Sequence, residues 1–385
     1  MKISQIISIN FNGKIIDSHS HIGNWKNSEG KLYDTTPDID VFIKAPLENG
    51  DTVEKVIVSN LDAMVHKKNE NGVIEFLSNE IDANKKLLEV AKNNPKIAAI
   101  ATCQPRYGNV DNIKKLFEEN PNKFIGLKFH PEQLGIAADN EAFKPYMKFA
   151  QEKKLPCIFH SGNTFDVKYP DGGIAKASTV SKPEQIYNLA KGYKDVPVII
   201  AHWGGDGAQN YEKTTDIIIQ SIKNKDANLY GDISWVDCNN AEKPNLKNII
   251  KRLKAENATD RILFGTDAPL GRFGGAGENG MSAKDAYLKN VKDIKAMIRK
   301  EFPDEAEELI DKIFYKNADG LFFKNNQIKV DPEASDGLKN KIKNPSLLLV
   351  IGAAAFITGL SAFLYNKAKN HDEHKSSIHR LSTIA

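Results

Sequence analysis

Asp17, His19 and His21 stand in the run D-S-H-S-H (17–21), at the end of an apolar stretch that opens with Ile15 and Ile16. In an extended strand alternate side chains share a face. The acid and both imidazoles are therefore expected on one side, Ser18 and Ser20 on the other. Two neutral imidazoles on one side suit zinc, iron, nickel or another transition metal. Taken alone, they suit a solvated strand end equally well, because histidine is common at surfaces.

The rest of the chain weighs on that choice. Lys128 and His130 close the run "FIGLKFHP" (124–131), His160 closes "LPCIFHSG" (155–162), His202 lies in "VPVIIAHWGG" (196–205) and Asp267 in "RILFGTDAP" (261–269). Together with "KIIDSHSH" (14–21), "EKVIVSNLD" (54–62), "KIAAIATCQP" (96–105) and "NLYGDISW" (228–235), these make eight short apolar, β-branched runs. Between several of them lie stretches with apolar residues at three- and four-residue spacing, such as "AFKPYMKFAQEKK" and "KPEQIYNLAKGYK". Continuous apolar strands alternating with amphipathic helices imply an α/β fold with a parallel sheet covered on both faces. Eight units over about 250 residues fit a (β/α)8 TIM barrel, and no Gly-rich dinucleotide fingerprint follows any strand. The histidines, Lys128 and Asp267 all sit at C-terminal strand ends, the face on which such barrels carry active sites. That shared placement sets the solvated strand end aside. A core histidine bonded to a carbonyl remains the plain alternative for His160 or His202 alone. For Asp267 it is a helix N-cap ahead of Pro269.

The motifs D-S-H-S-H (17–21), G-L-K-F-H-P (126–131), I-F-H-S-G (158–162), I-I-A-H-W-G-G (199–205) and L-F-G-T-D-A-P (263–269), with "NADGLF" at 317–322, resemble those of the metal-dependent amidohydrolase superfamily. The branch is amidohydrolase 2, which includes enzymes like aminocarboxymuconate-semialdehyde decarboxylase. The likeness covers roughly 14–323. It implies one divalent metal, zinc being the first expectation, held by His19, His21, His160 and Asp267 with a water completing the shell. Three neutral imidazoles leave such a metal electrophilic, so its water loses a proton near neutrality. Asp267 and His202 are the implied catalytic residues, His202 as acid/base or electrostatic stabiliser. Lys128 lies where binuclear members of the superfamily carry a carboxylated lysine. A second metal is not expected in this branch, and Lys128, His130, Arg106 and Arg272 are candidates to hold a substrate carboxylate. The implied activity is hydrolysis of a small, carboxylate-bearing substrate. The alternatives are non-oxidative decarboxylation by the same residues and, further off, an inactive membrane-bound binding module, whose mark would be a broken ligand set.

The formal net charge is +3, and from Asp336 onward seven Lys/Arg stand against three Asp/Glu. The remainder therefore carries no basic field, which speaks against a nucleic-acid partner. Cys103, Cys157 and Cys238 fit no paired pattern and are expected as reduced thiols. "GRFGGAGENG" (271–280) has no P-loop order and reads as a lid over the barrel mouth. Residues 344–366 carry no charge, and 346–365 read "SLLLVIGAAAFITGLSAFLY". At ~1.5 Å per residue, twenty residues cover the ~30 Å apolar core of a bilayer. The expected organisation is an N-terminal extension (1–13), the barrel (14–323), a polar linker (324–345), a single transmembrane helix (346–365) and a short basic tail (366–385). Both flanks of the span are basic, so charge does not set its orientation. The N-terminal "MKISQIISINFNG" has too short an apolar stretch for a signal peptide, which places the barrel on the cytoplasmic side. A homo-oligomer stays open.

Overall fold

The computed structural model describes residues 13–324, apart from 27–31, 69, 71–73, 163–166, 169–173, 176, 206–207, 237, 239–245 and 269–281. The span expected at 346–365, its basic tail, all of the linker beyond Lys324, the proposed lid and Arg272 lie outside the described residues. No helix among the described residues is long and apolar enough to cross a membrane.

Eight parallel strands form one sheet in chain order: β1 Lys14–Ile22, β2 Thr52–Asn60, β3 Ile97–Thr102, β4 Phe124–Phe129, β5 Cys157–Phe159, β6 Pro197–Ile200, β7 Asn228–Asp232 and β8 Ile262–Leu263. The last closes on the first. Ser18 N donates to Phe264 O at 2.9 Å, His21 N to Ala268 O at 2.7 Å, and Asp267 N to His19 O at 2.7 Å. Between and after the strands run α1 Thr36–Ile43, α2 Glu80–Asn93, α3 Val110–Glu119, α4 Lys144–Lys153, α5 Pro183–Lys191, α6 Ala208–Asn224, α7 Leu246–Ala255 and α8 Ala283–Glu301. Their starts carry the expected chemistry. Asn79 accepts from Ile81 N and Asp82 N at α2, Asn109 from Asp111 N at α3, and Ser282 from Asp285 N at α8. The expected eight-fold β/α order is thus observed.

Two apolar layers follow from strand alternation. The larger packs outward-facing residues such as Ile15, Val56, Val58 and Ala99 against the helices. The smaller fills the barrel with Ile16, Ile57, Ile100, Ile158, Ile199 and Leu263. Leu321 and Phe322 join that inner cluster, so the "NADGLF" segment plugs the barrel. A packed interior of branched side chains is a core and not a pore. It leaves only the strand ends free for polar groups.

Candidate metal centre

The D-S-H-S-H run depends on an irregularity that alternation misses. Ile16 belongs to the inner layer, so strict alternation would turn His19 and His21 outward with Ile15. Between Asp17 and Ser20 the register against β2 slips: Asp17 pairs with Val56, but Ser20 pairs with Val58. That is a β-bulge, one extra residue in β1, and it reverses the parity. His19 and His21 then turn inward, and Ile22 joins the outer layer. Asp17 does not share their site, contrary to expectation. Its carboxylate accepts from Thr266 N at 3.1 Å and from Thr266 Oγ1 at 2.6 Å.

The two imidazoles meet at one oxygen. His21 Nε2 lies 2.9 Å and His19 Nε2 3.3 Å from Asp267 Oδ1. Asp267 Oδ2 accepts from Trp235 Nε1 at 2.7 Å. The outward nitrogens are also held: His21 Nδ1 lies 2.7 Å from Ser59 Oγ and His19 Nδ1 3.1 Å from Asp232 Oδ2. Asp267 adopts a left-handed backbone, φ 57°, as do His202 (57°) and Trp235 (64°). Such conformations cost ~1–3 kcal/mol each and persist where surrounding structure fixes them, commonly at functional sites. Gly265 is needed for the close approach of β8 to β1, since a Cβ there would stand 2.9 Å from His19 Cβ.

His202 does not continue β6 as the sequence pattern suggests. The strand ends at Ile200, and His202 lies in the turn Ala201–Gly204. Its Nδ1 is 2.7 Å from Ser234 Oγ, and its Nε2 3.2 Å from His160 Nδ1. His160 stacks on His130, ring centroids 3.7 Å apart and planes at 12°. His160 Nε2 lies 3.2 Å from Glu132 Oε2, yet this buried atom makes no hydrogen bond. Among the described residues, His19, His21 and Asp267 form one group of ligand-type residues, His19, His202 and Asp232 a second, and His130, Glu132 and His160 a third, with His202 touching His160.

Lys128 is buried, with Nζ 2.7 Å from His19 Nε2. His130 Nδ1 accepts from Gln133 N at 3.3 Å, capping the short helix Pro131–Leu134. Arg106 Nη1 donates to the carbonyls of Leu134 and Gly135 at that helix's other end, at 3.0 and 3.4 Å. Sequence reasoning missed Ser59, Glu132, Asp232, Ser234 and Trp235. The signal for Asp232 was present, since an acid closes an apolar strand there much as Asp267 does after β8. Glu132, an acid in a helix's first turn, gives no signal of its own.

The electrostatics suit a cation. Burial pushes His21 down to about 4, against the pull of Asp267, and holds His202 well below the ordinary imidazole range. Both are therefore neutral at pH 7, the form that binds metals or accepts protons. Burial works to raise Asp267, but His202, His19 and His21 outweigh it and hold the carboxyl well below its usual range. Burial likewise lowers Lys128 to about 8, with Asp267 and Asp232 pulling the other way. Imidazoles converging on an ionised carboxylate, with outer nitrogens anchored, are a donor set for a divalent metal. His160 Nε2, buried and without a hydrogen bond, is a further ligand-type atom, grouped with His130 and Glu132. The residues present fit such an ion.

A family profile described as amidohydrolase matches residues 16–324. No curated protein matches the chain. Among solved structures, 2,6-dihydroxybenzoate decarboxylase from Rhizobium aligns with TM-score 0.51 and 15% identity, over 82% of this chain and 99% of that one. A probable 2-pyrone-4,6-dicarboxylic acid hydrolase from Acinetobacter baumannii aligns with TM-score 0.50 and 15% identity, over 80% and 98%. At that identity these likenesses speak for the shared barrel.

Proposed function

The chain belongs to the amidohydrolase family, and from that premise we propose that it is a metal-dependent hydrolase of a small, carboxylate-bearing substrate. The observation that carries the reading is the meeting of His19 and His21 Nε2 at Asp267 Oδ1. One divalent ion, zinc first in view of the nitrogen-rich donor set, would be held by His19, His21, His160 and Asp267. When bound, it supplies a Lewis acid and a water of lowered pKa. His202 takes and returns the proton at Nε2, since its Nδ1 is engaged by Ser234. Lys128 is the buried cation for the substrate's carboxylate. Arg106 is left to its helix carbonyls.

Decarboxylation is the second reading. It uses the same residues, and its support is the likeness of fold to a 2,6-dihydroxybenzoate decarboxylase. The inactive-module reading loses ground because every ligand-type residue is present. Residues 346–365 anchor the barrel to a membrane, an assignment that rests on their length and apolarity. Elemental analysis of purified protein, followed by a carboxylate panel scored for hydrolysis and for CO2 release, tests the function. A metal-free, inert protein would overturn it.

A further inference from the structure

We propose that Asp232 is a positioning residue that fixes the tautomer of two imidazoles at once, His19 directly and His202 through Ser234. The relevance to catalysis rests on the metal and His202 roles proposed above. The tautomers themselves follow from hydrogen-bond counting.

Asp232 is fully buried at the end of β7, paired with Leu263 of β8. Its Oδ2 lies 3.1 Å from His19 Nδ1. Its Oδ1 receives Ser234 N at 3.1 Å, His202 N at 3.2 Å and the Ser234 hydroxyl. An ionised carboxylate only accepts, so His19 must carry its proton on Nδ1. Ser234 has one hydroxyl proton, and it goes to Asp232. Ser234 Oγ is then left to accept, so His202 also carries its proton on Nδ1, 2.7 Å away. Both Nε2 atoms are thereby left bare.

An independent contact agrees. Lys128 Nζ, a donor with no acceptor capacity, sits 2.7 Å from His19 Nε2. Only a bare Nε2 accepts it, and this is the shorter of the two contacts at that atom, Asp267 Oδ1 lying 3.3 Å away. A bare Nε2 is also what a metal ligand and a proton acceptor require. One carboxylate thus prepares His19 to bind and His202 to take a proton. Asparagine cannot substitute at 232. Its amide N–H must face either His19 Nδ1, forcing the other tautomer, or the three donors that now meet Oδ1.

The test uses the full-length, metal-loaded protein with 15N-labelled histidine. Imidazole 15N shifts report the tautomer without turnover, and chelator competition reports metal affinity. Wild type should show His19 and His202 protonated at Nδ1. Ser234→Ala should abolish the single tautomer of His202 and lower kcat by ~10–100-fold, with metal affinity and KM kept; Ser234→Thr should restore both. Asp232→Asn should in addition disturb His19 and weaken metal binding by ~10–100-fold. Should Asp232→Asn fail to fold, Ser234→Ala carries the test alone. A His202 tautomer unchanged in Ser234→Ala, or Nε2–H imidazoles in the wild type, would overturn the proposal. Correct tautomers in a protein without turnover would instead overturn the functional reading and leave this one standing.

Discussion

His21 Nε2 lies 2.9 Å from Asp267 Oδ1, although 246 residues separate the two in the chain. The contact exists because β8 closes on β1, and because each partner departs from regular strand geometry. The bulge in β1 turns His21 inward, and the left-handed backbone at residue 267 aims its carboxylate back. Trp235 then holds the second carboxylate oxygen, so the pair is fixed from both sides.

Removing one partner separates binding from folding. His21→Ala should strip the metal and the activity while the barrel still folds, since the histidine stands above the packed interior and not in it. The stability lost should be ~1–3 kcal/mol, because Ser59 and Asp267 each lose a partner. Metal content by elemental analysis and circular dichroism check this; full occupancy in the variant would remove His21 from the ligand set.

His202 should behave differently. His202→Asn should retain the metal but lose kcat by ~10²–10⁴, the usual worth of a positioned acid/base. Metal lost in step with rate would make His202 a ligand.

The barrel itself was legible, because eight apolar runs alternate with amphipathic stretches, and that pattern survives without tertiary knowledge. The site was legible in composition but not in orientation. His19 and His21 were found by spacing, yet the same alternation that found them assigned Asp17 to their face. A single extra residue in β1 decides the matter, and no residue type in D-S-H-S-H signals a bulge. The runs ending in His160, His202 and Asp267 were read as strand throughout. In the structure pairing stops at Phe159, Ile200 and Leu263; beyond the last two, His202 N bonds Asp232 of β7 and Asp267 N bonds His19 of β1. Ser234 and Trp235 act on residues from other strands, so only the closed barrel shows what they do.

Lys128 offers a test of metal count. Lys128→Met keeps length and burial but removes the charge. It should keep the one metal and raise KM for a carboxylate substrate ~10-fold or more, since a hydrogen bond to a charged group is worth ~1.5–3 kcal/mol. Loss of a second metal ion from this variant would instead mark Lys128 as a carboxylated bridge.

Asp17 predicts a pH dependence of stability. Burial raises its carboxyl to about 6 against the bonds from Thr266 and His19 N. The folded state therefore holds this proton more tightly than the unfolded chain. Its contribution is fully present below about pH 4, is lost as pH rises to about 6, and is level above. Two pH units correspond to ~3 kcal/mol as an upper figure. Asp17→Asn should remove that slope, so the stability difference between variant and wild type should grow in the variant's favour from pH 4 to 6. Parallel denaturant curves at each pH measure it; a constant difference would show that Asp17 titrates alike in both states.

The final prediction concerns the tail. Residues 344–366 carry no charge and are bounded by Lys343 and Lys367, a length and apolarity that suit one bilayer crossing. Among the described residues, the last buried members of the inner apolar cluster are Leu321 and Phe322. Among the same residues, the ligand-type groups of the site all lie before Ala268. Truncation after Asp336 therefore removes none of the described core and none of these ligand-type residues. It should yield a soluble, folded, metal-loaded barrel with unchanged kcat on a soluble substrate. The full chain should sediment with membranes and resist extraction by high salt, since an apolar attachment is indifferent to ionic screening. Release by salt, or a truncated barrel that does not fold, would show that 346–365 serve the barrel and not a bilayer.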